Sequence, residues 1–485
     1  MEKLIHSWTD GQEVKYRNQK LIDKVNPHTG SIVSKIVESD IFDINCAIDI
    51  AQKSFALWSN VNPVERGKIL FNFSKILFDK KADLAKIITL ETGKSHKDSF
   101  SEINAAIAQC NFFAGEGMRL YGKTLTSGLD HKYTHTIRQA IGIAGLIVPA
   151  NTPIANIAWK VFPALICGNT IVLKASEDAP EIALEFARLS KIAGLPDGVL
   201  NVVQGRGDPV GINLVTDNRI NIISFTGSTS VGKWIAENGG KRLARLSLEL
   251  GGKNPFVVCD DADLDKAVYW ASLSAFSNAG QRCASGSRIF VSENIYESFR
   301  EKLLEKIKYI KLGIDDNSDY GPVINYKQFT NISNLINESK KEGGVIHIGG
   351  QNNKIDDFSN GYYIFPTIIE NLNYDSILHT TEIFGPVATL NSFRALDEII
   401  TICNKSEFGL TAAIHTKSID KAVWFTQKIK AGVVNVNIGT YGSEPHMPFG
   451  GFGSSGNGTR EPGEEALNIY TELKNISFFV NLDRL

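Results

Sequence analysis

Between residues 141 and 291 the chain alternates short β-branched runs with longer amphipathic stretches, a pattern that limits the fold more than any other feature. Residues 141–148, 170–173, 199–203 and 220–225 read as strands. Residues 179–193 and 230–238 read as helices, the first stopped by Gly194-Leu195-Pro196. A strand reached through a helix lies parallel to its predecessor, because a tight hairpin cannot return the chain in that sense. Repetition of the unit predicts an α/β protein with a doubly wound parallel sheet. A second α/β region begins near Gly251, with strand 256–258, a helix from about 264 to 277, strand 288–291, helix 294–311 and a strand-like stretch 344–348. At 485 residues the chain is too long for one hydrophobic core, so two or more domains are expected.

Two segments break the alternation. Residues 121–139 read as a hairpin around Ser127-Gly128-Leu129-Asp130, and residues 475–481 read as a strand. Such strands need a partner edge, found either within the chain or in a second copy of it.

The chain is 43% hydrophobic and 21% charged, with a formal net charge of −2. That is the balance of an ordinary globular protein, and without a polybasic run no nucleic-acid partner is expected. Cysteines 46, 110, 167, 259, 283 and 403 are never spaced as CxxC. Neither a metal site nor a disulfide framework is suggested, and a reducing, cytoplasmic compartment fits. The first residues lack the apolar run of a secretory leader. The longest apolar stretch, 154–173, contains Lys160, Pro163 and Asn169, so no membrane partner is expected.

Candidate chemistry rests on few residues. Cys283 lies in Ser277-Asn278-Ala279-Gly280-Gln281-Arg282-Cys283-Ala284-Ser285, and Glu249 in Leu246-Ser247-Leu248-Glu249-Leu250-Gly251-Gly252-Lys253-Asn254-Pro255. A thiol and a carboxylate beside glycines can serve as nucleophile and base. Taken singly, a cysteine is more often a small buried hydrophobe and a glutamate a solvated surface acid. Small Gly251 and Gly252 suggest room for the Glu249 side chain to move. The run Phe225-Thr226-Gly227-Ser228-Thr229-Ser230-Val231-Gly232 follows a strand and opens a helix, where free N–H groups suit a phosphate. Its glycine spacing is not GxGxxG, and a plain turn is an equal reading. Strand 170–173 runs into Lys174-Ala175-Ser176-Glu177. Glu177 there can accept from an adenosine ribose and repel a 2′-phosphate, favouring NAD, whereas Lys174 and Ser176 could bind that phosphate. Gly205, in Gln204-Gly205-Arg206-Gly207, lines an adenine site or simply makes a turn.

Taken together, these stretches resemble the NAD(P)-dependent aldehyde dehydrogenase superfamily over nearly the whole length. The matching runs appear in order: Asn26-Pro27, Glu91-Thr92-Gly93-Lys94, Pro149-Ala150-Asn151-Thr152-Pro153, Trp159-Lys160, Lys174 with Ser176-Glu177, and Phe225-Thr226-Gly227-Ser228. Glu249-Leu250-Gly251-Gly252-Lys253, Gly280-Gln281 before Cys283, Glu382-Ile383-Phe384-Gly385-Pro386 and Pro448-Phe449-Gly450-Gly451 complete the set. The resemblance implies a Rossmann-like NAD(P)-binding domain over 1–120 and 141–250, a second α/β catalytic domain over 251–453, and oligomerisation β-segments at 121–140 and 465–485. It implies Cys283 as nucleophile, Glu249 as base and Asn151 as oxyanion donor, with Lys160 either orienting them or forming a plain ion pair. Lys174, Ser176, Glu177, Gly205, Phe225, Gly227, Ser228, Gly232, Glu382 and Phe384 would meet the cofactor, NAD or alternatively NADP. Trp159, Thr152 and Phe449 would line the substrate pocket, although on general grounds Trp159 and Phe384 are more often core residues. Ala150 and Thr152 stand where many relatives carry aromatics, which suggests a wider or more polar tunnel and a functionalised aldehyde or semialdehyde. A homodimer or homotetramer is implied. The implied reaction oxidises an aldehyde to the acid through a thioester cleaved by water. The alternatives are a CoA-acylating relative, which often lacks the glutamate, and a non-catalytic protein on the same scaffold.

Overall fold

The computed structural model describes residues 3–14, 20–350 and 360–481. Met1 and Glu2, residues 15–19, residues 351–359 and the last four residues of the 465–485 segment lie outside the described residues.

The first sheet has seven strands: β1 (Ser7–Thr9), β2 (Gln12–Val14), β3 (Ile143–Ile147), β4 (Thr170–Lys174), β5 (Leu200–Val203), β6 (Ile220–Thr226) and β7 (Arg245–Glu249). Their order is β7-β6-β3-β4-β5-β1-β2. The five from β3 to β7 are parallel, and β1 and β2 add an antiparallel edge. Helices α1 (Pro153–Ile166), α2 (Pro180–Ile192) and α3 (Thr229–Gly240) alternate with the parallel strands, and α2 and α3 fall on the stretches read as helices from sequence. Strand β4 shows why its run is apolar throughout. Ile171 and Leu173 enter one buried cluster and Val172 enters the cluster on the other face. The chain order reverses between β3 and β6, and the C-terminal end of such a switch point opens a crevice.

The second sheet repeats the logic with β8 (Pro255–Val258), β9 (Arg288–Ser292), β10 (Val345–Ile348), β11 (Thr367–Glu370), β12 (Val387–Phe393), β13 (Thr411–His415) and β14 (Val433–Val436). Its order is β10-β11-β12-β9-β8-β13-β14, with only the β10–β11 pair antiparallel. Again alternate residues divide between two cores: Phe256 and Val258 on one side, Val257 on the other. Helix α4 (Leu264–Phe276) connects β8 to β9. The segment read as one helix over 294–311 is a short 3-10 turn, Glu293–Ile295, followed by a helix at Tyr296–Lys308. The apolar stretch 154–173 divides into most of α1, a turn at Gly168 (φ 90°) and β4. No helix among the described residues is long and apolar enough to cross a membrane.

The two segments outside the alternation find each other. Thr124–Leu125 and Lys132–Ala140 form the hairpin, and Thr471–Phe479 pairs antiparallel with Lys132–Ala140 along nine residues. The pairing is therefore within the chain. Thr471–Phe479 is one of the two outer strands of this sheet, and Leu473, Phe478 and Phe479 on it are exposed.

Candidate active site

Residues at the C-terminal edge of the first sheet meet residues that precede strands of the second. β7 ends at Glu249 and β8 begins at Pro255, so residues 250–254 cross from one sheet to the other. Along this crossing lies a cavity of about 1010 Å³. Asn151 and Thr152 reach it from the end of β3, Gly227 and Ser228 from the end of β6, and Glu249 from the end of β7. Cys283 enters ahead of β9, Glu382 and Phe384 ahead of β12. Trp159 on α1 and Phe449 complete the set, their rings 5.4 Å apart edge to face. Trp159 and Phe384 thus line a cavity, against their general preference for the core.

The loop before Cys283 is held in an unfavourable backbone shape. Asn278 and Ala279 have φ of 54° and 55°, a left-handed conformation that side chains with a Cβ resist. A polar clamp holds it: Asn278 Nδ2 donates to the carbonyls of Asn151 and Gln281, both at 3.2 Å. Asn151 Nδ2 donates to the Gln281 carbonyl at 3.0 Å, which ties the two loops together and engages one of its two amide protons. Asn254 Nδ2 donates to the Cys283 and Ser285 carbonyls at 2.8 and 2.9 Å, fixing the backbone at the thiol. Burial, then the Glu382 and Glu249 carboxylates, push the Cys283 thiol up to about 12; the Ala284 N–H and Arg282 oppose them.

Glu249 is 3% exposed, and neither carboxylate oxygen has a hydrogen-bond partner among the described residues. Burial first, then the Glu461 carboxylate, hold its carboxyl well above the usual range; Lys160 and Arg460 pull it down. Gly450 lies beside it, and a Cβ there would come within 2.8 Å of Oε1. Gly251 instead accommodates Glu382, and Gly252 the Cys283 carbonyl. The pair thus does not supply the room for Glu249 that residue size suggested.

Lys160 does not line the cavity. Its ammonium, fully buried, donates to Glu461 Oε2 and Ser224 Oγ, both at 2.7 Å. Glu461 also accepts from Ser224 Oγ at 2.9 Å and Tyr470 Oη at 3.1 Å. Lys160 therefore acts on Glu249 only through its charge.

The expected cofactor residues separate into two groups. Glu382, Phe384, Gly227 and Ser228 line the cavity; Lys174, Ser176, Glu177, Gly205, Phe225 and Gly232 do not. Lys174 and Glu177 form an ion pair of 2.9 Å just past β4, where Glu177 stays ionised below its ordinary range despite burial, chiefly through Lys174. Gly205 (φ 134°) packs against Val210 and Glu38, Gly232 against Leu250, and Phe225 belongs to the core, its ring against Gly227. Ser228, which lines the cavity, caps α3. Glu382 Oε1 accepts the Gly252 N–H at 3.1 Å, and burial lifts its carboxyl to about 7. Phe384 takes a left-handed φ of 51°, and Gln328 Nε2 donates to the carbonyls of Ile383 and Phe384 at 3.0 Å each. Strain beside a cavity, with an acid cradled by glycine, fits a site built for a dinucleotide.

The clamp residues Asn278, Asn254, Gln328 and Glu461 lie outside the sequence-based set. Only Asn278-Ala279-Gly280, a turn-prone triplet directly after a helix, carries a local signal for one of them.

Comparison with known proteins agrees with this architecture. The family model described as the Aldehyde dehydrogenase family matches residues 14–476. Human retinaldehyde dehydrogenase 3 is 39% identical over 460 residues, 93% of this chain and 88% of that protein. The alpha-ketoglutaric semialdehyde dehydrogenase of Bacillus subtilis (strain 168) is 35% identical over 473 residues, 97% of each. Betaine aldehyde dehydrogenase from Staphylococcus aureus, solved with NAD+, superposes with a TM-score of 0.95 at 32% identity, covering 98% of this chain and 95% of that one. The chain belongs to the aldehyde dehydrogenase family, and is an NAD(P)-dependent enzyme that oxidises aldehydes.

Proposed function

We propose that the chain converts an aldehyde bearing a polar or carboxylate group to the carboxylic acid, with Cys283 as nucleophile and Glu249 as base. The carrying observation is the convergence of Cys283 and Asn151, from two loops, and Glu249, from the end of strand β7, on one cavity. The Cys283 thiol, held protonated by burial and its carboxylate neighbours, first loses its proton to water; the thiolate then adds to the carbonyl carbon, and the π electrons move to the oxygen. The second amide proton of Asn151 and the Cys283 N–H receive that oxyanion; one such donor is typically worth about 3–4 kcal/mol. NAD(P)+, when bound, accepts the hydride that leaves this carbon. A thioester then remains on Sγ. Glu249 takes a proton from a water, whose oxygen attacks the thioester carbon; the acid leaves and the thiolate is regenerated. Lys160 and Glu461 set the charge around that base.

In this reading residues 1–120 and 141–250 bind the cofactor, 251–453 supply the nucleophile, and 121–140 with 465–485 join protomers into a dimer or tetramer. Glu382 and Phe384 meet the nicotinamide half, while Lys174, Ser176 and Glu177 meet the adenosine; the ionised Glu177 favours NAD. Gly227 and Ser228 border the phosphates. A cytoplasmic location fits the unpaired cysteines.

Arg282 supports the substrate class. It lines the cavity, stacks 4.9 Å over the Tyr441 ring, and its Nε has no partner among the described residues. Thr152, Asn156 and Gln109 make the same wall polar. The Bacillus subtilis relative is named for a semialdehyde, although the human one is named for an apolar aldehyde. Turnover of aliphatic, aromatic and carboxylate-bearing aldehydes with NAD and NADP is the test. A semialdehyde should give the highest kcat/KM with NAD, and Arg282→Ala should lower it at least tenfold while sparing a short aliphatic aldehyde. An equal loss for both substrates would remove Arg282 from specificity. Cys283→Ser should abolish oxidation. Glu249→Gln should permit one burst of NADH but little steady turnover; full turnover without CoA would refute the base.

A further inference from the structure

One thin wall separates the active-site cavity from a second cavity of about 790 Å³. Ile377, Thr381 and Glu382 line the first, and Ser376, His379 and Thr380 line the second. The deepest groups of the second cavity are Arg288, 4% exposed, and His379, 2% exposed. Nothing in the reaction uses them.

Arg288 is an unpaired buried cation. Its Nε has no hydrogen-bond partner, and no carboxylate pairs with its guanidinium among the described residues. The Phe290 ring centroid lies 5.9 Å from its guanidinium carbon. A buried charge is normally paired, because desolvation without a counter-ion is costly. His379 supplies a second free donor. The Asn391 amide donates to Nε2 at 3.2 Å, so the ring proton sits on Nδ1, which has no partner among the described residues. At the mouth, exposed Lys405 adds a positive charge and Ser406 a hydroxyl. Three carboxylates also line the cavity. Glu342 accepts from Ser376 Oγ and the Ile377 N–H, and Glu407 from Lys233 and Ser454, while Asp375 lies exposed at the rim. The floor is therefore an unpaired guanidinium fork beside an imidazole N–H, the donor set that holds two or three oxygens of one anion.

We propose that this second cavity binds a phosphate group, free or on a small ester, through Arg288 and His379 with Lys405 at the mouth, and that occupancy alters cofactor binding across the 376–382 wall. The volume exceeds a bare phosphate, which leaves room for an ester's carbon portion. Only the coupling rests on Glu382 as a cofactor contact; binding stands apart from it.

Calorimetry on the full chain, saturated with NAD so that the active-site cavity cannot take the anion, tests binding. Inorganic phosphate and glycerol 3-phosphate are titrated at constant ionic strength. Expected is one saturable site per chain, tighter for the ester if that is the source. Arg288→Met should weaken it at least tenfold and Lys405→Glu several-fold. Lys405 is exposed, so its variant decides if Arg288→Met does not fold. No saturable binding by either anion, or affinity unchanged in the folded variants, overturns the site. In the second arm, phosphate should change the KM for NAD at least twofold in the wild type and not in Lys405→Glu. An unmoved KM with intact phosphate binding overturns the coupling and points to Glu382, leaving the site itself standing.

Discussion

At the residue scale, the proposed role of Glu249 as base turns on charge. Burial and Glu461 keep its carboxyl raised, so the base form grows as pH rises and hydrolysis should climb on the alkaline side. Two substitutions move that limb in opposite directions. Glu461→Gln removes the repelling charge and should shift it to lower pH. Lys160→Met leaves Glu461 unpaired and should shift it higher, while destabilising the fold by about 3–5 kcal/mol as a broken buried pair. Profiles of kcat against pH together with thermal melts check both, and a shared direction would sink the electrostatic account. Glu177 poses a simpler question. Glu177→Gln should raise kcat/KM for NADP relative to NAD by about tenfold, or ~1.4 kcal/mol, leaving Lys174 free for a 2′-phosphate. An unchanged ratio would remove Glu177 from cofactor choice.

At the element scale, strained turns held by amides carry the site. Cys283 and Glu382 sit on loops that enter strands β9 and β12, and each loop contains left-handed residues other than glycine. Gln328→Ala removes two hydrogen bonds from the Phe384 turn, each worth about 1 kcal/mol net. It should raise the KM for NAD several-fold with a smaller change in kcat; the reverse split would place the turn in the chemistry. The strands and helices around these loops were legible because 2-residue and 3.6-residue periodicities are local. The clamps were not, since Asn254 and Gln328 resemble any polar residue until the chain brings Cys283 and Phe384 to them.

At the scale of the whole molecule, the outer edge of Thr471–Phe479 is the open question. Leu473, Phe478 and Phe479 are exposed on a strand with one free edge, a template for pairing. Leu473→Asp with Phe479→Asp should shift sedimentation towards the monomer while leaving the melting temperature within a few degrees. An unchanged sedimentation coefficient would refute the proposal that this edge joins protomers.

The sequence by itself determined the α/β class and the alternation over 141–291, and it put forward Cys283, Glu249 and Asn151 as candidates, because periodicity and motif order are written along the chain. Only the tertiary structure decided that Thr471–Phe479 pairs with Lys132–Ala140, that Lys160 faces Glu461 rather than the cavity, and that Gly205 adjoins Val210 and Gly232 adjoins Leu250. Lys160 and Glu461 are 301 positions apart, and pairing over such separations depends on how the two sheets meet, which no local pattern encodes.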